Sequence, residues 1–381
     1  MIAACIGAVS LAIWVYLVLA RGGFWRMQVD DQALPPTSLP IRKVAAIVPA
    51  RNEAQTVGQA IRSLLRQDYA GSLHIFLVDD HSSDDTAEVA RRAAEDTGHS
   101  DCLTIVEAAP LPRGWTGKLW ALSEGLKAAE SFSADYYWFT DADILHQPDN
   151  LAGLVVRAED GGFDLVSLMV KLCCESFAER MLIPAFVFFF FKLYPPAWVT
   201  RADKPTAAAA GGCILIRPSA LTRIGSIAAI RNQLIDDCAI ARAVKCGGPI
   251  WLGPTSNAES LRAYHSFREI GRMIARSAFT QLRHSALLLC GVVMAMTITY
   301  IAPPCLLGMR NWAASFGLAT WLLMTLTYWP TLRFYRLSPL WAPLLPLIAA
   351  FYLGATIYSA VQYWAGEGGL WKGRIQDLAG N

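Results

Sequence analysis

Apolar residues fall along this chain in three regimes. Ile2 to Ala20 (IAACIGAVSLAIWVYLVLA) runs nineteen residues without a charge and is followed by Arg21 and Arg26, a length that predicts a membrane-spanning helix. A cleaved signal peptide is the rival reading, but no charged region precedes the run and Ala-Arg-Gly-Gly makes a poor cleavage site. At the far end, Ser285 to Met309, Trp312 to Trp329 and Leu340 to Trp364 are long uncharged stretches, separated by Arg310 and by Arg333 with Arg336. They predict two or three further crossings, kinked at Pro303-Pro304 and at Pro343 and Pro346.

Between these ends the period alternates between strand and helix. Val44 to Val48 reads as a strand ending at Pro49, Glu53 to Gln67 as a helix, and Leu73 to Val78 as a strand ending at Asp79-Asp80. Asp84-Asp85-Thr86 opens a second helix, Leu103 to Val106 is a third strand, Trp120 to Ala129 a helix, and Tyr136 to Thr140 a fourth strand. Alternation of this kind predicts an α/β sheet, mostly parallel and Rossmann-like. In such sheets ligands bind beyond the carboxyl ends of the strands, which places Arg51-Asn52-Glu53, Asp79-Asp80 and Asp141-Ala142-Asp143 along one rim. Met181 to Trp198 is strongly apolar but broken by Pro184 and Pro195-Pro196; it reads as an interfacial or acceptor-lining segment, or as a buried core helix. His265 to His284 interleaves Arg with apolar residues, as suits a helix on anionic lipid or a plain cytoplasmic flank.

Composition agrees with membrane segments, since 54% of the 381 residues are hydrophobic and mean hydropathy is +0.34. Arg21 and Arg26 follow the first span, and Arg262, Arg268, Arg272, Arg276 and Arg283 precede the second. The positive-inside rule then puts residues 21 to 284 in the cytoplasm of a multi-pass protein of the cell inner membrane. Lys372 and Arg374 fit less well with three C-terminal spans, so the side of the C-terminus is open. The formal net charge of +2 gives no reason to expect a nucleic-acid partner. Nine Cys show no metal spacing and read as thiols in a reducing compartment. The expected organisation is an anchor over 1–21, a catalytic domain over 41–260, a basic amphipathic segment over 261–284, two to three membrane helices over 285–365 and a polar tail over 366–381.

Asp141-Ala142-Asp143 carries the chemistry. Two carboxylates at the end of a strand form a hard-oxygen site suited to Mg²⁺ or Mn²⁺ that keeps positions open for phosphate oxygens, although Asp-x-Asp is also turn chemistry. His146 is near enough in sequence to add a ligand, or is simply a polar loop residue. Asp80 ends a strand where it could accept the N3–H of a uracil. Asp236-Asp237 supplies two acids where a helix begins, and an N-cap explains only one of them.

The strings AAIVPARNEA, FLVDDHSSDDT, GWTGKLWAL, YWFTDADILH, AGGCILIRP and LIDDCAIA together resemble a family-2 glycosyltransferase with the GT-A fold, over about 41 to 284. LVSLMV, AERMLIPAFVFFF, TAAAAGGC and IRNQLIDDCAIA look narrower still, like the membrane-bound hopene-associated glycosyltransferases. That resemblance implies an inverting, metal-dependent, hexosyltransferase-type enzyme. It would move a sugar from a nucleotide-sugar donor, with a preference for UDP, to a lipid acceptor at the bilayer. The acceptor would be a hopanoid, a polyprenyl phosphate or a glycerolipid. By the same resemblance Pro49, Arg51 and Glu53 form the first nucleotide-binding loop and Asp80 contacts the base. Lys118 meets the diphosphate or the base, Asp141 holds the ribose and Asp143 the metal. Gly211 and Gly212 border the donor sugar, and Asp237, with Asp236 as second choice, is the base. Helix capping by Glu53, a solvated Lys118 and tight packing at the glycines remain alternatives. The Gln-x-x-Arg-Trp of processive synthases is replaced by Gln281-Leu282-Arg283-His284, which favours a single transfer over polymer synthesis. Two other classes stand against this reading. A sugar nucleotidyltransferase would show a Gly-rich, Arg-containing loop after the first strand, and a non-catalytic membrane scaffold would not need four rim carboxylates.

Overall fold

The structure, a computed structural model, describes residues 1–29, 41–309, 311–366, 370–371 and 374–375. Arg310, Lys372 and most of the expected tail over 366–381 lie outside the described residues. The chain divides into two compact units.

The first unit comprises Gln28–Leu172, Trp198–Arg262 and Leu370–Asn381. Its strands are β1 (Lys43–Ala50), β2 (Ser72–Asp79), β3 (Leu103–Glu107) and β4 (Tyr136–Thr140). They continue as β5 (Ile144–His146), β6 (Leu165–Lys171), β7 (Cys213–Ile216) and β8 (Ile250–Ser260). All eight join one sheet in the order β3-β2-β1-β4-β7-β6-β8-β5. Helices Val57–Leu65, Thr86–Thr97, Gly117–Ala128, Asn150–Asp160 and Asp236–Lys245 belong to this unit. Val44 to Val48 are wholly buried, as an uninterrupted apolar run should be in a strand covered on both faces.

Parallel ladders join β3, β2, β1 and β4. Beyond them β7 runs antiparallel to both β4 and β6, and β5 runs antiparallel to β8. β6 and β8 are again parallel, so four of the seven ladders in the sheet are parallel. The mixing comes from β7, which enters between β4 and β6 against their direction, and from β5 at the edge. The register aligns the outgoing ends of the parallel half, pairing Ala50 with Asp79 and Ile47 with Phe139. That alignment delivers Arg51, Asp80 and Asp141 to one edge. The helix expected from Glu53 begins only at Val57. The backbone N–H groups of Glu53 and Ala54 donate sideways to Thr86 Oγ1 (2.8 Å) and Asp84 Oδ2 (3.2 Å) instead.

The second unit comprises Met1–Met27, Cys173–Ala197 and Ala263–Gly369. By length and composition Ile2–Ala20, Phe177–Thr200, Ala286–Gly308 and Pro339–Trp364 are able to cross a membrane. Two expectations change here. The apolar run after Met181 is one helix, Phe177–Leu193, that passes through Pro184; Ser176 and Glu179 cap its start reciprocally, and the proline removes only its own donor. Trp312–Phe334 is a helix of 23 residues but is not among the four apolar enough, since its Trp, Thr and Tyr content dilutes its hydropathy. The basic segment forms the helix Phe267–Gln281, which buries Ile270, Ile274, Ala275 and Phe279. Arg268, Arg272 and Arg276 stay exposed on it.

Candidate active site

The loops after β1 and β2 are stitched together. Asn52, at φ +53°, accepts from the Ser83 N–H at 2.8 Å and donates its own N–H to Ser82 Oγ at 3.0 Å. Asp84 Oδ1 accepts the Thr86 N–H at 3.1 Å, so Asp84 supports the loop at the start of the next helix. The Asp80 side chain is completely buried, with the Arg51 guanidinium 3.7 Å from its carboxylate. Arg51 also donates to the Asp80 carbonyl. The sheet thus brings Arg51 and Asp80 into one ion pair.

A second cluster surrounds Lys118, the second residue of helix Gly117–Ala128. Its Nζ lies 2.8 Å from Asp141 Oδ1 and 3.4 Å from Asp236 Oδ2. Burial opposes the charge on Lys118, but Asp141, Asp236 and Asp237 outweigh it and hold the ammonium above its ordinary pKa. Asp236 and Asp237 open helix Asp236–Lys245, where the positive end of the helix favours acids. Asp237 accepts from the Cys238 N–H at 2.7 Å and from the Gly211 N–H at 3.0 Å. Even so, burial and then the neighbouring Asp236 push its pKa up to about 6. Gly211 lets the backbone approach this closely, since a Cβ there would stand 3.1 Å from Lys118 Nζ and 3.4 Å from Asp237 Oδ2. At Gly212 a Cβ would instead press on Val170 and Ile144, a packing requirement. Pro49, Lys118, Asp141, Gly211, Asp236 and Asp237 line a common hollow.

Asp143 faces a different cation. Arg262 donates from Nε to Asp143 Oδ2 at 2.8 Å and from a terminal nitrogen to Glu53 Oε1 at 2.6 Å. Burial raises the Asp143 pKa, as do Asp141 and Glu53, against the lowering effect of Arg262. Arg262 was expected to be a membrane flank; it closes the site. Its only sequence cue was a cation directly after a polar strand end, and the flanking-charge pattern absorbed that cue.

Two carboxylates that repel one another, with only monovalent cations against them, suit a hard divalent ion whose remaining positions go to substrate oxygens. Asp141 and Asp143 therefore fit Mg²⁺ or Mn²⁺ as a two-carboxylate set. No group of three or more His, Cys, Asp or Glu able to hold a metal occurs among the described residues.

His146 is not brought to this set. It is 3% exposed, in the core, and packs edge-on against Trp138 at 4.6 Å. Thr140 Oγ1 donates to the Gly212 carbonyl at 2.9 Å and so receives the His146 Nε2 proton at 2.8 Å. That leaves His146 Nδ1 to accept from Asn150 Nδ2 at 3.0 Å. Both ring nitrogens are used within the protein, and burial drives the imidazole pKa down to about 3. The neutral ring has no lone pair left for a metal. It joins β4, β5 and helix Asn150–Asp160 instead.

Residues 45–225 match the family model described as glycosyl transferase family 2. A curated relative, the undecaprenyl-phosphate 4-deoxy-4-formamido-L-arabinose transferase of Salmonella choleraesuis (strain SC-B67), is 30% identical over 129 residues. That match covers 33% of this chain and only 36% of the relative. Among solved structures, a mannosyltransferase from Pyrobaculum calidifontis in complex with GDP-Man and Mn²⁺ is similar at a TM-score of 0.55. It is 20% identical, with 94% of this chain and 99% of that chain covered, a likeness of fold. Asp236, Asp237 and Arg262 lie beyond the matched family region.

Proposed function

We propose that this chain, whose residues 45–225 match the glycosyl transferase family 2 model, transfers a sugar, with inversion, from a nucleotide-sugar donor to a hydroxyl-bearing membrane lipid. The observation that carries the reading is the cluster of Lys118, Asp141, Asp236 and Asp237 around Gly211. In this reading the acceptor oxygen attacks the anomeric carbon as the bond to the donor's diphosphate breaks on the opposite face. Asp237 takes the hydroxyl proton, and a carboxylate poised near 6 is matched to that task at neutral pH. Lys118 meets the charge that develops on the departing diphosphate. Asp141 and Asp143 would hold Mg²⁺ or Mn²⁺, which when bound supplies Lewis-acid stabilisation of the same charge. The preference for a uridine donor rests on Asp80, and a catalytic domain facing the cytoplasm rests on the flanking arginines.

Two acceptors compete. The curated relative's name gives undecaprenyl phosphate, whereas the string resemblance favours a hopanoid. At neutral pH a phosphate monoester is largely dianionic and needs no general base, whereas a hydroxyl does; a base at Asp237 therefore favours an acceptor hydroxyl.

The test is Mn²⁺-dependent turnover of a panel of nucleotide sugars by purified protein with and without membrane-lipid extract. Asp143→Ala is expected to abolish Mn²⁺-dependent donor hydrolysis; traces identical to wild type on every donor would sink the proposal. Asp237→Asn should keep donor binding and lose about a hundredfold or more in transfer, the range of a removed general base. Unchanged transfer to a phosphate lipid would move the acceptor to the polyprenyl class.

A further inference from the structure

The apolar unit carries an open cavity of about 470 Å³, within the size range of ligand clefts. Phe177 and Arg180 line it from the start of helix Phe177–Leu193, and Tyr335 and Arg336 from the end of helix Trp312–Phe334. Trp341 lines it from the turn that leads into helix Leu345–Trp364. The cavity thus sits where three long helices begin or end, two of them apolar enough to cross a membrane, the level at which Trp, Tyr and Arg meet lipid headgroups in membrane proteins.

Its charge is one-sided. Arg180 and Arg336 both line it, both are exposed, and no Asp or Glu does. Two guanidinium groups facing one cavity repel each other until an anion lies between them, and their planar forks match phosphate oxygens in bidentate geometry. Phe177, Leu337 and Trp341 add apolar surface to the lining; Phe177 is 66% exposed, and the Phe177 and Trp341 rings stand 5.5 Å apart. Exposed aromatic and aliphatic surface beside paired cations suits an amphiphile and not a free ion.

We propose that this cavity holds the phosphate headgroup of an anionic membrane lipid. Arg180 and Arg336 bind the phosphate oxygens, and Phe177, Leu337 and Trp341 meet the first carbons of the chains. The proposal does not depend on the transfer reaction, and its residues are not part of the acidic cluster.

The experiment titrates full-length protein in neutral detergent with dihexanoyl phosphatidic acid, dihexanoyl phosphatidylcholine and inorganic phosphate, each followed by calorimetry. Phosphatidic acid should bind about tenfold or more tighter than either control, and Arg180→Gln/Arg336→Gln should lose about tenfold for it while leaving phosphatidylcholine unchanged. Should the double variant misfold, Arg180→Gln and Arg336→Gln are read singly, each expected to weaken phosphatidic acid about threefold or more. Mn²⁺ binding serves as the check that the sheet unit is intact. Variants that bind phosphatidic acid like wild type overturn the proposal. So does inorganic phosphate that binds as well as the lipid, which would make this a free-anion site, or phosphatidylcholine that binds equally, which would make it an apolar groove.

Discussion

Asp237 is stabilised by two backbone amides, yet burial and Asp236 hold its pKa near 6, so ionising it works against the fold. A carboxyl whose folded pKa lies above its unfolded value binds more protons in the native state between the two pKa values. Stability therefore falls as pH rises from about 4 to about 6 and is level above that. Asp237→Asn is expected to melt higher than wild type at pH 7.5, with the difference gone near pH 4, as read by thermal unfolding at both pH values. His146 makes the opposite case. Its ring makes two internal hydrogen bonds, so His146→Ala should cost about 3 kcal/mol of stability while leaving Mn²⁺ affinity unchanged. A tenfold loss of that affinity in the folded variant, near 1.4 kcal/mol, would restore His146 as a ligand. The acids of the site were legible because each stands at a strand or helix end. Arg262 was not, because an arginine ahead of an apolar span looks the same whether it meets lipid or Asp143.

Among elements, helix Gly117–Ala128 shows how local pattern and site are linked. It carries Lys118 at its start, and Gly125 at its far end lets it lie against the sheet. A Cβ there would stand 2.4 Å from Ile47 Cγ2 and 2.9 Å from Val78 Cγ2. Gly125→Ala should lower stability by about 1–3 kcal/mol through overpacking, and displacement of Lys118 should reduce donor turnover with it; unchanged melting would show that the helix has room to move. The four parallel strands could be read because each is a short apolar run between turn residues. β5 and β8 could not, since ILH is too short to show a period and Pro254 to Ser260 is mostly polar yet pairs along its length. Pro184 misled for a related reason. Proline lowers helix propensity locally, but the capped start and buried face of Phe177–Leu193 prevail.

At the scale of the molecule, the chain passes between units more than once, because Cys173–Ala197 of the apolar unit interrupts the sequence of the sheet unit. A fragment of residues 41–262 would keep that apolar helix, and it should stay in the membrane pellet after carbonate extraction; recovery in the supernatant would count against a membrane role for 177–193. Long uncharged runs announce themselves, but which segments share a unit depends on pairings far apart in sequence, as between β6 and β8. The chain as a whole is slightly basic, at +2, while its rim cluster is strongly acidic. Among the described residues, Glu53, Asp141, Asp143, Asp236 and Asp237 gather around Lys118 and Arg262. Such a cluster repels a bare diphosphate and admits one whose charge is already neutralised. EDTA should accordingly weaken donor binding about tenfold or more, with the loss growing as ionic strength is lowered. In the proposed reaction the rim would act as a gatekeeper for charge state, sorting nucleotide donors by their counter-ions before their sugars are inspected.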